Sequence, residues 1–268
     1  MSLSIYTYSN PYAIQNEPYG DSIKNCAHFC VSQTMVNGLT DVYPELNNGQ
    51  IATIQELVEA LYPNWFDTKT YIEQYAILTN VLKQKTEEAN IADQYIRALT
   101  FNKSVMLNSV RMLFEMNIDL NKIKVKKLSE EQKYLVAIYK ALLLDSENKK
   151  SFSLQKNFSE SEVNAAVKKA LVAKDVRRNR TPKSIEMVDC ETVVIHGVHQ
   201  FTPTILSAIE VLEKYKRVVL LFNYQEQYKE IYQTWLDVYA CFDINIKSQF
   251  NTEFRPSKLL QASYQSNV

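Results

Sequence analysis

The chain has 268 residues, 46% hydrophobic and 22% charged, an ordinary globular composition that excludes bulk disorder. Its 30 basic and 30 acidic residues cancel, so overall charge gives no pull toward nucleic acid and any basic surface must be local. Four glycines, Gly20, Gly38, Gly49 and Gly197, leave few places for a loop whose backbone N–H groups cradle phosphate.

Ser4 to Tyr8 is β-branched and aromatic and runs into Ser9-Asn10-Pro11, so it reads as a short strand ending in a turn. His28 to Ser32 reads as a second strand. A helical pattern follows from Thr34 to Leu46, weakened by Gly38. From Thr53 the period changes: Ile54, Leu57, Val58 and Leu61 make one apolar helix face. Further helices are expected at Thr70–Lys85, Glu87–Leu99, Ser104–Met116, Glu130–Leu144 and Ser159–Lys174. Ser129 with Gln132, and Ser159 with Glu162, have the form of capping boxes.

After Pro182 the pattern changes again. Thr192 to Ile195 is a buried-type strand. Thr202 caps a helix that starts at Pro203 and runs to about Tyr215, and Arg217 to Phe222 is another strand. A helix from Gln225 to Tyr239 and a strand from Asp243 to Ile246 complete an alternation that implies a parallel sheet with right-handed crossovers. The expected organisation is an α/β sheet domain made of residues 1–49 and 182–268, interrupted by a helical insertion over residues 50–181.

Four cysteines do not make a disulfide framework, the opening residues lack a secretory pattern, and no stretch approaches the roughly 20 apolar residues of a membrane helix. A cytoplasmic setting with no membrane association is expected. The chain ends at Val268 without an obvious closing element, which reads as the front part of a longer protein.

Several groups could carry chemistry. His196 and His199 lie just past a strand, three residues apart, and imidazole suits zinc. Too few further ligands accompany them, so no metal is assigned and hydrogen bonding within a loop is the plainer reading. Cys26, His28 and Cys30 share one strand face only if the strand begins at Cys26. The favoured reading is a buried thiol at Cys30 and an incidental Cys26. Lys168, Lys169, Lys174, Arg177, Arg178, Arg180 and Lys183 stand against one acid, Asp175, and can contact phosphates; a solvated linker is the alternative. Lys122, Lys124, Lys126 and Lys127 could extend that patch. Tyr224, Tyr228 and Tyr232 recur every fourth residue, a pattern that packs helices more often than it stacks bases. No nucleophile–base pair stands out, so no catalytic residue is assigned.

The segment Val193-Val194-Ile195-His196-Gly197-Val198-His199-Gln200-Phe201-Thr202-Pro203 resembles the Walker B region in the N-terminal part of the helicase–nuclease family's B-type chain, within the superfamily 1 helicases. In that family an apolar strand runs into Asp-Gly-Phe and an aromatic-Thr-Pro helix start. Cys30 to Leu39 is similar to the family's second strand and following helix. The element order agrees too: first strand, strand–helix, helical insertion, Walker B strand, further strand. The resemblance implies a Rossmann-like, P-loop-NTPase-like sheet with a large all-helical insertion.

The departures lie at the nucleotide site. No G-x-x-x-x-G-K-[ST] motif occurs, and Ser9-Asn10-Pro11-Tyr12-Ala13-Ile14 stands where a P-loop would follow the first strand. His196 stands where the resemblance puts a Mg²⁺-binding aspartate, and imidazole is a poor partner for that hard ion. The resulting expectation is a non-hydrolysing module without cofactor, part of a repair, recombination or phage-defence machine. It would bind DNA or a helicase or nuclease partner subunit, with Lys168, Lys169, Arg177, Arg178 and Arg180 as the DNA contacts. Two alternatives stay open: a protein-interaction scaffold with no nucleic-acid role, and an enzyme of unknown type with a ligand site at His196 and His199, since open α/β sheets bind ligands at strand ends.

Overall fold

The computed structural model describes residues 3–8, 10–88, 101–123, 125–155, 157–177, 189–197, 201–223 and 230. The expected helices at Glu87–Leu99 (from residue 89) and Gln225–Tyr239 (Glu230 apart) and the strand at Asp243–Ile246 lie outside the described residues, as do Arg178, Arg180 and His199. Contacts divide the chain into two units, one formed by Met1–Ala60 with Ser159–Val268, the other by Leu61–Phe158. Among the described residues no helix is long and apolar enough to cross a membrane.

The first unit is α/β. Its described strands are β1 (Leu3–Tyr8), β2 (Cys26–Cys30), β3 (Ile51–Thr53), β4 (Asp189–His196) and β5 (Arg217–Asn223). They form one all-parallel sheet in the order β1-β5-β4-β2-β3. Val193, Val194 and Ile195 of β4 and Val218 to Phe222 of β5 are almost wholly buried. Such unbroken apolar runs belong to strands covered on both faces, as parallel strands are. Each large side chain so buried contributes about 1.5–3 kcal/mol.

The expected boundaries at 50 and 181 shift. β3 pairs with β2, His28 opposite Ile51, so this strand belongs to the sheet. Helices α3 (Ile54–Leu61, all but Leu61) and α9 (Glu160–Arg177) fall in the sheet unit as well. The strand at 28–32 begins earlier, at Cys26. This puts Cys26, His28 and Cys30 on one face, and Cys26 is a core residue rather than an incidental one.

Between β1 and β2 the chain makes a 3₁₀ helix, Pro11–Asn16, and the single-turn α1, Gly20–Ile23. Helix α2 (Gln33–Val42) starts on a Ser32 cap, the hydroxyl accepting from Met35 N–H. It ends at Tyr43 because Pro44 follows, and the residue before proline avoids helical geometry. Gly38, in mid-helix, lets the Tyr12 ring lie against it: a Cβ there would sit 2.6 Å from the Tyr12 hydroxyl. Helix α10 (Pro203–Tyr215) joins β4 to β5, with the Thr202 hydroxyl accepting from Ile205 N–H. At the amino ends of these strands the buried Lys216 ammonium reaches Glu191 at 3.1 Å.

The second unit is helical over its described residues: α4 (Pro63–Phe66), α5 (Thr68–Glu88), α6 (Lys103–Glu115), α7 (Glu130–Leu144) and α8 (Ser146–Ser151). Ser129 and Gln132 form the expected capping box at the start of α7. In the sheet unit, Ser159 and Glu162 make the same reciprocal pair before α9. Phe114 packs edge-on against Tyr139 and stacks on Phe152. Arg111 lies 4.1 Å above the Trp65 ring and donates to Gln74 and to the Trp65 carbonyl.

Candidate functional site: a histidine pair beneath a short-helix cover

β2 and β4 are neighbours, and the chain leaves them in opposite directions, β2 through α2 to β3 and β4 through α10 to β5. Right-handed crossovers in opposite directions lie on opposite faces, so the topological switch point falls between β2 and β4. Two of the three histidines meet there. His28 on β2 and His196 on β4 are 168 residues apart, yet their ring centroids are 5.0 Å apart.

The network fixes their protonation. His28 Nε2 is 2.8 Å from the Ile23 carbonyl, the last residue of α1, and a carbonyl only accepts. His28 Nε2 therefore carries the hydrogen. Burial pushes the His28 pKa down to about 4, so the ring is neutral at pH 7 and Nδ1 is a bare acceptor. His196 Nε2 lies 2.7 Å from that Nδ1 and must donate to it. Burial, and next the neighbouring His28, hold the His196 pKa well below the usual imidazole range. A neutral His196 with its hydrogen on Nε2 presents Nδ1 as a lone pair. That atom is buried and has no hydrogen-bond partner among the described residues.

Both rings border a cavity of about 220 Å³. Ile14, Ile23, Leu39 and Leu46 give it an apolar wall, and Gln15, Asn16, Asp21 and Lys24 stand exposed around it. Tyr43 lines it too, and its buried hydroxyl also lacks a partner among the described residues. The cavity exists because its cover is short. A 3₁₀ helix, one turn of α1 and a ten-residue α2 stopped by Pro44 cannot close the sheet face as a long helix would.

The carboxyl ends of the strands are arranged otherwise. Gly197 follows β4 with φ at +68°, the left-handed region glycine tolerates, and its N–H donates to the Leu221 carbonyl. A Cβ on Gly197 would lie 3.1 Å from the Met35 sulfur, so the first turn of α2 rests on this glycine. Past β1, the Tyr12 N–H donates to the Asn10 side chain and the Ala13 N–H to the Asn10 carbonyl. These two N–H groups are consumed within the turn and are not offered to an anion.

Of the residues expected to carry function, His196 is at a strand end but turned into the sheet face, where its partner is His28, and His199 lies outside the described residues. Lys168 and Lys169 are exposed on α9. Arg177 closes that helix. Among the described residues no group of three His, Cys, Asp or Glu could hold a metal ion. Sequence reasoning missed the pairing of His28 with His196 and the part played by Tyr43. The signal available was that both histidines sit in apolar strands, where a polar side chain must find a partner. No protein-family model, curated protein or solved structure matches this chain.

Proposed function

We propose that this chain is a non-hydrolysing, helicase-like module of a DNA-processing protein, and that it holds DNA rather than turning over nucleotide. The observation that carries the reading is the state of His196. By resemblance it stands where a Mg²⁺-binding aspartate would be, and its ring is neutral, buried and hydrogen-bonded to His28. A side chain so placed offers no carboxylate to a hard ion. The turn after β1 adds support, since Tyr12 and Ala13 spend their N–H groups on Asn10. Further support comes from the parallel sheet built from both ends of the chain with a helical unit between.

The DNA contacts in this reading are Lys168 and Lys169, side by side and exposed on α9, with Arg177, Arg178 and Arg180 following in sequence. Phosphate binding through such residues releases counterions, so affinity falls steeply with salt. The test is fluorescence anisotropy with single-stranded and duplex DNA across a salt series, with phosphate release from ATP followed in parallel. Expected are salt-dependent binding, a several-fold loss in K168E/K169E that is uniform across sequences, and phosphate release at the blank level. Binding that ignores the double variant would remove the basic-helix assignment. No binding at low salt would turn the reading to a partner protein as the thing held.

A further inference from the structure

We propose that the outward face of α6 is a homodimer interface, on which a second copy of this chain packs its own α6 antiparallel, across a two-fold axis near Asn108. The surface is separate from α9, the helix proposed to hold DNA.

The first observation is what α6 leaves outside. Its inner face, Met106, Leu107, Val110 and Phe114, is buried. Its exposed positions are Ser104, Val105, Asn108 and Met112, and none is charged. Arg111, the basic side chain in mid-helix, is turned in onto Trp65. Val105 is 48% exposed, Met112 49%, and Met116, the residue that ends the helix, 51%. Phe101, just ahead of the helix, is 86% exposed. The solvent face of a helix ordinarily carries charges, whereas the centre of an interface sheds them and takes up methionine and aromatic rings.

The second observation is the order of these residues. Val105, Asn108, Met112 and Met116 follow one another at steps of three and four, so they form one seam along the helix. Turned end for end about Asn108, the seam reads almost the same: Val105 meets Met112, and Phe101 meets Met116. A two-fold interface needs this property, since each contact between one residue and another occurs twice. Asn108 meets its own copy there. A side-chain amide both donates and accepts, so the two satisfy each other and fix the register. Met116 against the Phe101 ring is a favourable sulfur–aromatic contact.

The third observation is charge, and it selects the direction. At the amino end of α6 the cap residue Asn102 makes no side-chain bond to the first turn, and at the carboxyl end stands Glu115. An antiparallel mate lays the positive end of one helix dipole beside the negative end of the other; a parallel mate would lay like ends together.

The experiment is sedimentation velocity on the full chain over a concentration series. A monomer–dimer equilibrium is expected, with its dissociation constant raised at least tenfold in Met112→Glu and in Val105→Glu. Both positions are exposed, so both variants should keep the fold, which circular dichroism checks. The direction is read by oxidative crosslinking against the unaltered chain. Asn108→Cys should crosslink to itself, Val105→Cys should not, and Val105→Cys mixed with Met112→Cys should. A chain that stays monomeric up to its solubility limit would overturn the proposal. So would a dimer that both glutamate variants leave intact. Val105→Cys crosslinking to itself as readily as Asn108→Cys would mark a parallel pair and overturn the antiparallel one. These results are read without DNA, so their failure leaves the reading of α9 standing.

Discussion

Each unit buries a polar cluster, and the two are finished differently. In the helical unit Arg111 stacks on Trp65, donates to Gln74 and to the Trp65 carbonyl, and Trp65 in turn donates to Glu115. Gln74, fully buried, passes its own N–H to the Ser151 carbonyl. These bonds tie α4, α5, α6 and α8 together. In the sheet unit the chain from Ile23 through His28 to His196 stops at a buried nitrogen with no partner among the described residues. A satisfied network serves to fix packing, whereas an unfinished one leaves a group whose partner has to come from elsewhere. The closed cluster therefore adds to stability, and the open one carries a cost.

The closed cluster breaks most heavily. Arg111→Ala leaves the Gln74 oxygen buried without its donor and strips the cation from Trp65. Denaturant unfolding should register a loss of about 3 kcal/mol, for two hydrogen bonds from a half-buried guanidinium and one buried acceptor left unmet. A loss within about 0.5 kcal/mol would mean that the cluster is a surface decoration.

The open cluster breaks by acid. Folded His28 has its pKa near 4 against 6.5 for a free imidazole. Below pH 6.5 the unfolded chain binds a proton that the folded chain refuses. Its contribution to stability is thus whole above about pH 6.5 and lost as pH falls toward 4, by about 3 kcal/mol. His196, shifted in the same direction, adds to this. Unfolding measured at pH 7, 6, 5 and 4 should show that slope, and His28→Phe should flatten it. An unaltered slope in the variant would place the acid sensitivity elsewhere.

The smallest effect sharpens the boundary between cavity and strand ends. Gly197→Ala asks a side chain to sit at φ +68° against the Met35 sulfur. Destabilisation of about 1–2 kcal/mol is expected in denaturant unfolding. An unchanged stability would mean that α2 does not need the close approach of Met35 to Gly197.

Much of the fold was legible in the residues. The runs at Thr192–Ile195 and Arg217–Phe222 are apolar enough to declare strands, and Thr202-Pro203 declares the start of the helix between them, as the Thr202 cap bears out. Ser129 and Gln132 declare the start of α7. Other elements left no trace. β3 is three residues long, too short for alternation to register, and it is a strand because β2 lies beside it. Single-turn α1 and six-residue α8 are shorter than a periodic pattern needs.

The candidate site divides the same way. Composition and spacing determined by themselves that no glycine-rich phosphate loop follows β1, that His196 sits at a strand end and that basic residues gather beside α9, because each is a property of neighbours in the chain. Only the tertiary structure decided that His28 finds His196 across 168 residues, that Tyr43 is buried beside the same cavity, and that one nitrogen is left open. Strand order brings those residues together, and strand order follows from which hydrophobic faces pack, not from any local spacing.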